Sequence, residues 1–169
     1  MIRRLFAVAG LLALPACAVA PPPSAPMVTV AAAPQPAPPP NLIHAPLYDG
    51  SGGTPRVDVA IDGVCCFKFI VDSGASDVSV SVAIFKALIN SGRITKADMI
   101  DVVKYQTAAG VSEGLRFRLP PLTVGGRTVY GVIGSVSPDS NMLLLGQSFL
   151  KKFRFWAIDN NTGTLVLGD

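Results

Sequence analysis

The 169-residue chain contains one histidine, His44, and three cysteines, Cys17, Cys65 and Cys66. His44 falls in a proline-rich stretch, so neither Ser73 nor the cysteines have an imidazole within a folded domain to activate them as nucleophiles. Three cysteines are too few for a disulfide scaffold, and with one histidine they leave no set of metal ligands. No glycine-rich dinucleotide fingerprint follows a strand and opens a helix, and no phosphate-binding P-loop is present. No repeat of 20–50 residues is evident. Neither a cofactor nor a metal is expected. Charged residues make up only 15% of the chain, with no basic run and no basic patch interleaved with aromatics, so nucleic acid is excluded as a partner.

What is present is apolar. Half of the residues are hydrophobic, enough for one compact core, and the length suits one ordinary domain. The formal charge is +3; removing Arg3 and Arg4 from 14 basic residues leaves 12 against 11 acidic, a net +1. Those two arginines precede the apolar run "LFAVAGLLAL", Leu5 to Leu14, in the manner of an export signal covering residues 1–20. The run is too short to span a bilayer. Two exits fit it. "LPAC", Leu14 to Cys17, resembles a bacterial lipobox, which makes Cys17 the acylated first residue of the mature protein. An Ala-x-Ala site ending at Ala18 or Ala20 is the other, and the latter leaves Pro21 in first position, a poor signal-peptidase product. The lipobox exit is favoured, so the expected location is the periplasm or cell envelope with a lipid anchor in a membrane. Either exit, or retention of the segment as an uncleaved anchor, places the domain outside the cytoplasm.

Residues 21–46 hold ten of the fifteen prolines together with Ala and Ser, the composition of an extended linker. At about 3 Å per residue it reaches several tens of Å. A globular domain is therefore expected over residues 47–169. There the hydrophobic pattern has mostly period two. "RVDVAID" alternates Val57, Val59 and Ile61 with Asp58 and Asp62, and Asp62-Gly63 predicts a hairpin returning through "VCCFKFIV". Adjacent Cys65 and Cys66 point to opposite faces of a strand and read as two small apolar residues. Ser81 to Gly92 predicts the one clear helix, with Ser81 as N-cap and Gly92 as stop. A Gly125-Gly126 hairpin follows, then a short helical turn in "LLLGQSFLKKF", a solvated edge at "KKFRF", and a final hairpin through "NNTG". The fold class is all-β with one or two short helices.

With histidine chemistry set aside, carboxylates remain. Asp72 lies in "FIVDSGASDVSV", flanked by Phe69, Ile70, Val71, Ala75, Val78 and Val80. A carboxylate buried in that setting needs a reason. Ser73, Gly74 and Ala75 let the chain turn sharply, so that exposed backbone N–H groups can hydrogen-bond the carboxylate. "VDSGAS" resembles the Asp-Ser/Thr-Gly-Ala-Ser signature of retropepsin-like aspartic proteases. "YQTAAG", Tyr105 to Gly110, resembles that family's flap, with Ala109 where exported bacterial members often carry Asn. "LLLGQSFLKKF", Leu143 to Phe153, resembles the hydrophobic-hydrophobic-Gly motif and helix behind the catalytic loop, and "GTLVLG" resembles the last strand. The three motifs occur in the family's order, and the resemblance spans roughly residues 47–169.

The resemblance implies a retropepsin-like acid-protease β-barrel that hydrolyses peptide bonds in polypeptides. It implies Asp72 as the catalytic carboxylate, with Ser73, Gly74, Ala75 and Gly146 supporting the active site. Thr107, Ala108, Ala109 and Gly110 would form a flap over the substrate, and the Ser73 hydroxyl would bond across a two-fold axis. This route needs two carboxylates sharing one proton, one deprotonating water and the other donating to the scissile carbonyl. Asp77 falls along the outgoing strand, and Asp58 and Asp62 lie on the polar face of a hairpin. The expected dyad is therefore Asp72 with Asp72 of a second copy, in a homodimer. Two other classes remain open: a binding or assembly module of this fold that no longer cleaves, and a structural lipoprotein in which Asp72 is incidental.

Overall fold

A computed structural model describes residues 41–107 and 110–169. Its elements are β1 (Leu42–Asp49), β2 (Pro55–Ile61), β3 (Val64–Val71), β4 (Val78–Ser79), α1 (Val82–Asn90), β5 (Met99–Thr107), β6 (Gly110–Arg118), β7 (Leu122–Val124), β8 (Arg127–Val129), β9 (Ile133–Val136), β10 (Leu144–Leu145), α2 (Gln147–Leu150), β11 (Phe155–Asp159) and β12 (Thr164–Gly168). The fold is all-β, with two short helices. The strands join in the order β11-β12-β1-β2-β3-β10-β4-β9-β6-β5, while β7 links to β2 and β8 to β7.

The β2–β3 hairpin follows from its alternation and its turn. Val57, Val59 and Ile61 are essentially fully buried, and Val57 sits opposite the buried Phe69. Asp62 and Gly63 both adopt positive φ, at 48° and 77°, the backbone that a tight two-residue hairpin turn requires. The helix also starts where its cap lies: the Ser81 side chain accepts from the Ile84 N–H at 3.3 Å. Phe85 on α1 packs on Phe117 of β6 with ring centroids 4.8 Å apart, while Phe149 packs on Phe153 at 5.4 Å. Each fully buried side chain of this size contributes about 1.5–3 kcal/mol.

Three expectations change. The folded domain begins at Leu42 rather than near Leu47: Leu42 to Pro46 pair with β12, and Leu47 to Asp49 with β2. His44 is thus a strand residue rather than a linker residue, with its Nδ1 3.4 Å from the Thr164 hydroxyl. The signal segment, Cys17 and linker residues 21–40 lie outside the described residues. Cys65 and Cys66 are both exposed on β3 and follow one another through a cis peptide bond, with their sulfurs against each other rather than on opposite faces of the strand. Within "KKFRF", Phe153 is a core residue, 7% exposed, and Phe155 opens β11.

Candidate active site

Most strand pairings are antiparallel, and the exceptions build the site. β10 runs parallel to β3 and antiparallel to β4, and β4 runs parallel to β9. Inserting β10 between β3 and β4 forces the six residues 72–77 to loop over the end of β10. Asp72 heads this loop. Its backbone N–H donates to the Leu145 carbonyl at 3.2 Å, and its Oδ1 accepts the Gly74 N–H at 2.8 Å. The tight Asp-Ser-Gly turn thus aims a backbone donor at the carboxylate, which fixes its plane. Asp72 is half-buried in the single chain rather than fully buried, and Ser73 and Gly74 are exposed beside it. The apolar flanks are what bury the supporting strands: Phe69, Val78 and Val80 are fully enclosed.

The loop is locked from behind by residues 146–148. The Gln147 and Ser148 N–H groups donate to the Ala75 and Ser76 carbonyls at 2.8 and 2.9 Å, and Gln147 Nε2 donates to the Ser73 carbonyl at 2.8 Å. The Ser148 hydroxyl accepts the Val78 N–H at 3.1 Å and donates to the Ile133 carbonyl at 2.6 Å. Such close approach demands glycine at 146, where a Cβ would overlap the backbone carbonyls of Asp77 and Ala75. A cavity of about 670 Å³ opens beside the loop, lined by Ser73, Gly74, Asp77, Arg116, Gln147 and Lys151 among others.

β5 and β6 form a long hairpin in register from Val102 opposite Leu115 to Thr107 opposite Gly110. Gly110 has φ +118°, a conformation glycine adopts without strain, and the Thr107 hydroxyl donates to its carbonyl at 2.8 Å. Ala108 and Ala109, the other two expected flap residues, lie outside the described residues.

Asp77 occupies a position that the linear pattern does not reveal. It is 7% exposed, one of only two buried polar or charged residues in the described structure, the other being Ser135. The Tyr105 hydroxyl donates to its Oδ2 at 2.7 Å, and Arg116 Nε lies 3.0 Å from the same oxygen. The arginine contact is an ion pair by distance, but the Nε–H is not aligned on the carboxylate and finds no other acceptor. Arg116 also reaches Asp101 at 3.5 Å. Burial first, and then the bond to Asp77, push the Tyr105 phenol up to about 12. The period-two count along β5 and β6 puts Asp101, Tyr105 and Arg116 on one face. That was the one available signal, and it does not identify the loop they meet. Among the described residues, no group of three His, Cys, Asp or Glu side chains gathers as a metal site.

Comparison with known proteins bears on the fold and the family. No curated protein matches the chain. Among solved structures, it is similar to the crystal structure of a retropepsin-like aspartic protease from Rickettsia conorii, with a TM-score of 0.52 and 24% identity, covering 75% of this chain and 98% of that one. At that identity the likeness establishes the fold, which is retropepsin-like. A family model described as gag-polyprotein putative aspartyl protease matches residues 57–152, from β2 through α2, and so takes in Asp72, the β5–β6 hairpin and Gly146. The chain belongs to this aspartyl protease family.

Proposed function

We propose that the protein is an aspartic endopeptidase that hydrolyses peptide bonds in polypeptide substrates through a dyad of Asp72 and Asp72 of a second copy. One observation carries this reading. The loop 72–77 holds two carboxylates, and they are used in opposite ways. Asp72 sits at the open mouth of the loop with Gly74 as its backbone donor, whereas Asp77 is buried and committed to Tyr105 and Arg116. The loop therefore has one carboxylate free for chemistry, and acid–base hydrolysis of this kind needs two. Exposed Ser73 and Gly74 leave the loop surface open for a second copy to approach across a two-fold axis.

In the dimer a water would lie between the two carboxylates, which share one proton because like charges at contact distance do not both ionise. The ionised carboxylate takes a proton from the water as it attacks the scissile carbonyl carbon. The protonated one donates to the carbonyl oxygen. The resulting tetrahedral species collapses with the proton passing to the leaving amine. The Ser73 hydroxyls would brace the two loops across the axis. Residues Thr107 to Gly110 of each copy would close over an extended substrate and exclude water. No cofactor enters this route. Export with acylation at Cys17 would tether the enzyme to a membrane of the cell envelope, and tethering would raise the local concentration of protomers and favour the dimer.

Asp72→Asn provides the test. The purified domain is expected to dimerise and to cleave an unfolded polypeptide at mildly acidic pH, and Asp72→Asn to reduce cleavage by at least about a thousandfold while leaving the fold intact. A domain that stays monomeric at high concentration would refute the shared dyad. A dimer without any cleavage that depends on Asp72 would mark a binding module instead.

A further inference from the structure

We infer that Asp77 and Tyr105 are positioning residues for this hydrolysis, their hydrogen bond latching the β5–β6 hairpin onto the Asp72 loop and setting the height of the flap over the substrate. The consequence for hydrolysis rests on the protease reading above, whereas the latch itself is a matter of geometry.

The hairpin needs such a tie because most of it lacks a neighbour in the sheet. β5 ends the strand path and pairs with β6 alone, and β6 pairs with β9 only from Leu115 to Arg118. Among the described residues, no further strand runs alongside the hairpin beyond Leu115, from Val103 to Thr107 and from Gly110 to Gly114. In that projecting half, among the described residues, side-chain bonds reach the body of the domain from Tyr105, to Asp77 and also to Ser135 of β9, and from Ser112, to Ser137 at 2.8 Å. Tyr105 lies two residues from the end of β5, yet its hydroxyl touches the catalytic loop, so the hairpin is folded down over that loop.

The anchor end of the latch is rigid. The Asp77 carbonyl is packed against Gly146, and the next residue, Val78, donates its N–H to the Ser148 hydroxyl. The hairpin end is shaped to match. Gly114 has no side chain, and a Cβ there would lie 2.8 Å from the Tyr105 ring, so the ring rests in the space that glycine leaves. Arg116 adds charge to the latch, but its Nε–H is misaligned. The aligned Tyr105 bond therefore fixes the direction of the contact. The latch also shapes the binding cavity. Arg116, on the part of β6 that pairs with β9, lines it and is held by Asp77.

Tyr105→Phe in the mature protein isolates the latch. It removes one oxygen and leaves Asp77 paired with Arg116, so the fold survives; Asp77→Asn serves as the companion variant. Amide hydrogen exchange in Tyr105→Phe is expected to speed up about tenfold across residues 103–107 and 110–114, as suits loss of one charged hydrogen bond, and to stay unchanged in β2 and β12. With a peptide substrate, KM should rise about fivefold with kcat within a factor of two, because closing the flap becomes harder before chemistry begins. Unchanged exchange in the hairpin, or a uniform increase across the whole domain, would overturn the latch. If the unaltered protein cleaves nothing, the protease reading fails, and the exchange data still decide the latch.

Discussion

Replacing Gly146 by alanine probes whether the Asp72 loop is as tightly braced as its contacts indicate. The added Cβ would overlap two backbone carbonyl oxygens, those of Asp77 and Ala75. Neither oxygen can retreat cheaply. The Ala75 carbonyl accepts the Gln147 N–H, and Asp77 is tied through its side chain to Tyr105 and Arg116. Overpacking in a filled site costs about 1–3 kcal/mol, and a clash with pinned backbone belongs at the upper end, at about 3 kcal/mol. For a folded region of this size each kcal/mol moves Tm by roughly 4 °C, so thermal unfolding followed by circular dichroism should show a drop of roughly 12 °C. Activity should fall further than stability. Displacing the loop by about 1 Å misaligns Asp72, and such a shift costs on the order of a hundredfold in rate. Gly74→Ala is the matched control: its Cβ meets only the Asp72 Oδ1, at 3.2 Å, so it should cost less than about 1 kcal/mol while still lowering the rate. A Gly146→Ala protein that melts within about 3 °C of the parent, or cleaves at the parental rate, would refute the bracing argument.

Two further outcomes follow from the chain. Asp98 and Asp159 hold carboxyls below the ordinary carboxylate value of 3.8, Asp98 through the Thr95 backbone N–H first and Asp159 through the Thr162 hydroxyl first. Because their folded values are lowered, their contribution is present above pH 3.8 and is lost as pH falls through the lower folded values. Acid unfolding curves of Asp98→Asn and Asp159→Asn should accordingly be flatter below pH 4 than that of the parent, and parallel curves would contradict the assignment. At the other end of the chain, mass spectrometry of the mature N-terminus should find an acylated Cys17, whereas a free Val19 or Pro21 would rule out the lipid anchor.

Much of the candidate site's local geometry was legible because its determinants are local. Asp72, Ser73 and Gly74 form a turn within three residues, and Gly146 sits inside a short apolar motif. The Asp62-Gly63 turn and the Ser81 cap are equally local, and each appears where the linear pattern places it. Strand β1 was not legible in that way. His44 pairs opposite Val166, and the sequence around it has the proline-rich composition of a linker, so only closure by β12 makes it a strand.

Asp77 shows most clearly what tertiary structure alone decided. The sequence by itself determined the all-β class and singled out Asp72 as the candidate carboxylate. It left Asp77 as a carboxylate on the way out of the loop. Folding carries Tyr105 and Arg116, 28 and 39 positions further along the chain, onto that side chain, burying one carboxylate of the loop and leaving the other open. A linear pattern records periodicity within a strand. Which loop that strand meets depends on β10 threading between β3 and β4, a pairing set by residues more than sixty positions apart.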